Sequence, residues 1–157
     1  MSTALEEQSS TRILVPVFTF IDKRKLFRAL QVLSTLKNPL VVLFRVVEVP
    51  RQTTPLDPTV WRDDMKMAED FLREAASSLQ SEGYRVQTKV VTSRKTADGI
   101  ISEANNGNYT VVLLMKRRIT NGWGKIFHKS ITEEVIRFTN PLVLTFLAEP
   151  ELSEKKT

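Results

Sequence analysis

The stretch "TVVLLMKRRITNGWGKIFHKSITEEVIRFTNPLVLTFL", Thr110 to Leu147, contains an apolar run, a basic loop, a helix start and a second apolar run, in that order. The flanking runs, "YTVVLLM" and "PLVLTFL", are short and rich in Val and Leu, as buried strands are. Between them, Ser130-Ile131-Thr132-Glu133 forms a capping box. The serine oxygen accepts from one orphan backbone N–H, and the glutamate reaches back to another. Asn140 precedes Pro141 and closes the helix, because a residue before proline is pushed out of helical geometry. The stretch therefore reads as strand, loop, helix, strand.

The same alternation runs back to Arg12. "RILVPVF", "NPLVVLFRVVEV" and "YRVQTKVVT" are three further apolar runs bounded by Pro, Gly, Asn or charge. Leu26, Ala29, Leu30 and Leu33 recur at helical spacing after Asp22. Trp61, Met65, Ala68, Leu72, Ala75 and Leu79 alternate steps of four and three, one stripe of a long helix that stops at Gly83. A shorter helix around Ile100, Ile101 and Ala104 ends in "NNGN".

Strand–helix alternation of this kind gives right-handed crossovers, hence a parallel sheet with helices on both faces. In the third strand Val86, Thr88, Val90 and Thr92 alternate with polar Gln87 and Lys89, which predicts an edge position. The expected fold is a five-stranded parallel α/β sheet in the order 3-2-1-4-5. In such a sheet the order reverses between strands one and four, and ligands bind where the loops after them part. Those loops begin near Phe18 and Lys116.

A chain of 157 residues with this composition suits one globular domain. We place it at residues 12–148, with polar, charged tails expected to be mobile at 1–11 and 149–157. "MSTALEEQSS" is polar and acidic, unlike a signal peptide, and no apolar run is long enough to span a bilayer. With no cysteine, disulfide and zinc-thiolate chemistry are closed. These features predict a cytoplasmic protein.

Formal net charge is +5, and Lys116, Arg117, Arg118, Lys125 and Lys129 carry as much between them. The other 18 Lys and Arg face 18 acids. The basicity is local, which favours a focused anionic partner over general adhesion to nucleic acid or membrane.

These runs resemble universal stress protein domains over almost the whole chain, from about Arg12 to Leu147. "RILVPVF" is similar to the family's opening "ILVPVDGS", and "LFRVVEV" to its second strand, "LHVV" followed by an acid. "TVVLLM" is similar to the fourth strand, and "SITEEVIRFTNPLVLTF" to the closing "GSVSERVLRHAPCPVLVV". The resemblance implies a Rossmann-like domain that dimerises through its last strand and, in ATP-binding members, a loop G-x2-G-x9-G-[ST] after strand four. Aligned on Ser130, the three glycines of that loop fall on Lys116, Ile119 and Lys129, while Gly122 matches a further position that is often glycine. Phe18 stands where ATP-binding relatives place an aspartate against the nucleoside, and Val46 matches the valine that lines the adenine pocket. "VVEVP" before a Pro-containing loop, and "VVTSR", are similar to stress-protein domains fused to amino-acid permeases or cation antiporters, which implies a role beside a membrane transporter.

Glycines in a phosphate loop let bare backbone approach the anion, in conformations a Cβ forbids. Lysine and isoleucine in those places crowd the cradle, so no cofactor is expected, with ATP or AMP as the alternative. Lys116, Arg117, Arg118, Lys125, His128 and Lys129 are the candidate cations for an anionic ligand or acidic protein partner. The competing reading is a solvated loop. The capping box alone also accounts for Ser130. "NGWGKI" fails as a P-loop, since Ile126 follows Gly124-Lys125 and Ile119 replaces the first glycine.

His128, the sole histidine, supports no metal cluster, and with Ser130 it lacks the third group that nucleophilic catalysis requires. No enzymatic activity is expected. Nucleic acid is not expected either, although Trp123 and Phe127 lie among the cations. Asp63-Asp64, Glu69-Asp70 and Glu133-Glu134 read as solvated helix faces. Arg45, inside an apolar strand, is left open between an acidic partner and the sheet's end.

Overall fold

The computed structural model describes residues 11–49, 58–117 and 131–148, with the side chains of 58–60 and 117 excepted. Its strands are β1 (Arg12–Pro16), β2 (Leu40–Glu48), β3 (Arg85–Ser93), β4 (Val111–Arg117) and β5 (Leu142–Ala148). The helices among the described residues are α1 (Lys23–Val32), α2 (Pro58–Ser81), α3 (Thr96–Asn106) and α4 (Ile131–Phe138). All strand pairs are parallel, and the order is β3-β2-β1-β4-β5, as the alternating pattern requires.

Several helix ends have an identifiable cause. Asp22 is buried and accepts from the Lys25 N–H at 3.0 Å, capping α1, whose Leu26 and Leu30 point into the core. α2 buries Ala68, Leu72, Ala75, Ala76 and Leu79, while Trp61 and Met65 at its outer end are half-buried. Gly83, at φ +91°, turns the chain after α2, and the Tyr84 N–H closes on the Leu79 carbonyl. The α4 end is pinned from α3. The Asn105 side chain donates to the Phe138 carbonyl at 3.0 Å and accepts from the Asn140 N–H at 2.8 Å.

Two cores result. On one face α1 and α2 cover Ile13, Val15, Val41, Leu43, Leu113 and Met115. On the other, α3 and α4 cover Leu14, Val42, Phe44, Val112 and Leu114. Strand residues alternate between the faces, so the central strands are apolar throughout, as sheets covered on both sides must be. The outer strands differ. β3 exposes Arg85, Gln87, Thr88 and Lys89, and β5 exposes Leu142, Thr145 and Leu147. Among the described residues no helix is long and apolar enough to cross a membrane.

Candidate functional site

The run "RILVPVF" reaches Phe18, yet β1 ends at Pro16. The hydrogen bonds say why. Val17 N–H donates to the Phe44 carbonyl at 2.7 Å, whereas the Arg12 carbonyl accepts from Thr110 N–H at 2.9 Å. Odd residues of β1 therefore address β2, and even ones address β4. Pro16 is even, and it has no N–H to give. Registered pairs between β1 and β4 are Ile13–Val111 and Leu14–Val112, while β4 continues beside β5 as far as Arg117–Ala148. Beyond Val112 the two central strands part, and the crevice of a doubly wound sheet opens where the order reverses.

Phe18 follows at the mouth of this crevice. It is half-buried and packs against the core beneath α3 and α4. Val46, near the end of β2, packs against the same core. α3 comes so close here that a Cβ on Gly99 would sit 2.7 Å from Val46 Cγ2. Phe18 and Val46 thus share one apolar wall, with helix backbone laid against the valine. Lys116 is exposed one residue before the end of β4, in register with Leu147, on the opposite flank.

Arg117 closes β4. Arg118, Ile119, Lys125, His128, Lys129 and Ser130 lie outside the described residues, and with Ser130 so does the serine half of the capping box. The described part of α4 has Glu133 and Glu134 in its first turn, where carboxylates complement the positive end of the helix.

Three residues shape this region without having been singled out from sequence. Pro16 opens the crevice. Gly99 lets α3 touch β2. Glu48, at the end of β2, accepts from the Thr96 N–H at 3.3 Å and its hydroxyl at 2.8 Å, fixing where α3 starts. A proline inside an apolar run was the one signal legible in advance. Arg45 places its guanidinium 5.3 Å from the Phe71 ring centroid, on the face covered by α1 and α2.

Among the described residues, the group whose proton affinity is shifted lies at the other end of the sheet. Tyr109, just before β4, donates to Glu103 at 2.7 Å and accepts from Arg12 at 3.4 Å. Burial pushes its phenol up to about 12; the Arg12 hydrogen bond opposes the shift and Glu103 adds to it. Lys89 closes the chain on Glu103 at 2.8 Å. This polar cluster ties β1, β3, α3 and the start of β4 together, away from the crevice. Among the described residues no group of three His, Cys, Asp or Glu gathers to hold a metal ion.

A profile described as "Universal stress protein family" matches residues 10–144 of the chain. The fold is similar to that of the universal stress protein UspA from Lactobacillus plantarum, with TM-score 0.68, 19% identity, and 87% of this chain and 97% of that one covered. It is similar to the universal stress protein from Archaeoglobus fulgidus in complex with dAMP, with TM-score 0.62, 18% identity, and coverage of 86% and 96%. A universal stress protein family protein from Arabidopsis thaliana with AMP bound gives TM-score 0.58, 14% identity, and coverage of 87% and 91%. No curated protein matches the chain in sequence.

Proposed function

The chain belongs to the universal stress protein family, and from that premise we propose that it acts as a non-enzymatic regulatory module, a homodimer with a remodelled nucleotide site. The observation that carries this reading is the apolar wall at the crevice. Phe18, in the place of the family's aspartate, is packed into the core beside Val46 rather than offering an oxygen to a ribose hydroxyl. A phenyl ring there leaves a nucleoside's polar groups unpaired, and unpaired polar groups are expensive to bury. The substituted glycine positions, Lys116, Ile119 and Lys129, act in the same direction. Lys116, exposed on the crevice flank, with Arg117, Arg118, Lys125, His128 and Lys129 following in sequence, offers side-chain charge to an anionic ligand or an acidic protein.

Dimerisation through β5 is supported by its surface. Leu142 is 63% and Leu147 46% exposed on an edge strand, beside Phe138 at 57% on α4. An apolar edge of this kind is an unstable terminus for a sheet, and a second copy of the strand would cover it.

A second reading, an adenine-nucleotide-binding stress protein with a variant phosphate loop, is favoured by the structural neighbours that hold dAMP and AMP. The parted strands β1 and β4 favour it too. Mass spectrometry of the gently purified protein separates the two. The first expects no stoichiometric adenine nucleotide, and finding one would replace it with the second.

A further inference from the structure

On the face opposite Phe18 and Val46, α1 and α2 leave a groove over the sheet. Its upper part is an open cavity of about 320 Å³, at the lower end of the range of small-molecule sites. Phe20, Ile21, Phe71 and Ala75 form its apolar lining, and Lys23 and Glu74 stand at the rim. A second cavity of about 230 Å³ shares Ile21, Lys23 and Ala75 and continues the groove over Leu26, Phe27 and Leu79. Burial of an apolar body along this floor supplies the non-directional part of binding.

The charges narrow the class of ligand. Lys23 Nζ meets Glu74 Oε1 at 3.5 Å, a long pair whose side chains remain 43% and 76% exposed. Such a pair is weak and exchangeable. Arg45, whose guanidinium rests on the Phe71 ring, adds a second positive charge behind the aromatic wall. Further along the groove Arg24 and Glu82 add one charge of each sign, so the lining cations Lys23 and Arg24 are matched by Glu74 and Glu82 and the groove favours a singly charged anion over one of higher charge. The rim thus already holds one carboxylate against one ammonium above an apolar trough.

We propose that this groove binds a small amphipathic monocarboxylate, its apolar body against Phe20, Ile21, Phe71 and Ala75 and its carboxylate replacing Glu74 on Lys23. The site is independent of the crevice between β1 and β4. A ligand here would bear on α1 and α2, whereas one in the crevice would bear on α3 and the loop after β4.

The test is titration of the isotopically labelled full chain with decanoate, followed by amide NMR, with decanol and decyl phosphate in parallel. Decanoate should give saturable shifts at Phe20, Phe71, Glu74 and Ala75. Decanol and decyl phosphate should each bind about two- to fivefold more weakly, the range expected of an exposed ion pair. Lys23→Met should weaken decanoate by a similar factor, and Glu74→Gln, which frees the lysine, should tighten it. Both are surface substitutions that leave the apolar floor intact. The proposal is overturned if decanoate does not saturate below its micellar concentration, or if the shifts cluster at Phe18, Val46 and Lys116. It is equally overturned if decanol or decyl phosphate binds as well as decanoate, or if neither substitution changes the affinity.

Discussion

Glu48, the last residue of β2, caps α3 by accepting from both the backbone N–H (3.3 Å) and the hydroxyl (2.8 Å) of Thr96. Lys95 occupies the N-cap position of α3 and makes no side-chain cap bond. The strand end therefore performs what a Ser or Asp at the N-cap does elsewhere. It also fixes α3 over Val46, on the wall of the candidate site.

Glu48→Ala should lower stability by about 1 kcal/mol, the usual value of a cap. Glu48→Gln keeps an acceptor and should recover part of the loss. Urea unfolding of both variants measures this; an alanine variant as stable as the parent would remove the cap from the account.

Gly99→Ala places a methyl group 2.7 Å from Val46 Cγ2. Overpacking of this kind costs about 1–3 kcal/mol. Because the nearest obstacle is the valine side chain, with Ser93 Cβ next at 3.2 Å, the same substitution made in a Val46→Ala background should cost less. A double-mutant cycle reads the difference directly, and equal costs in both backgrounds would show the crowding to lie elsewhere.

The Tyr109 phenol, held up at about 12 in the fold, titrates near 10 when the chain is unfolded. Its contribution is fully present below pH 10 and is lost as the pH rises toward 12, since only the unfolded chain has then released the proton. The stability difference between the wild type and Tyr109→Phe should shrink over that interval by on the order of 2 kcal/mol. Chemical denaturation at pH 9 and pH 11.5 checks it; a constant difference contradicts the shift.

Paired substitutions Leu142→Lys and Leu147→Lys put charge on the exposed β5 edge, the usual guard against strand pairing. Wild type should sediment as a dimer at micromolar concentration and the double variant as a monomer, with unchanged far-ultraviolet circular dichroism. A wild type that stays monomeric at high concentration would refute dimerisation.

Much of the fold was legible in short windows of sequence. The apolar runs around β1, β2, β4 and β5, the stripe from Ala68 to Leu79 and the turn at Gly83 are local features. The order 3-2-1-4-5 followed from the half-polar third strand and the handedness of crossovers. The candidate site was legible only in outline. Phe18 and Val46 could be placed at strand ends, but nothing local showed them sharing a wall.

The sequence by itself determined which elements form and in what order, because periodicity, caps and turn residues act over a few positions. Tertiary structure decided the rest: that Glu48 caps a helix 48 residues away, that Arg45 rests on Phe71, and that Pro16 parts β1 from β4. Those outcomes depend on which faces of distant elements meet and on which neighbour a backbone N–H addresses. Both are fixed only once the sheet has assembled.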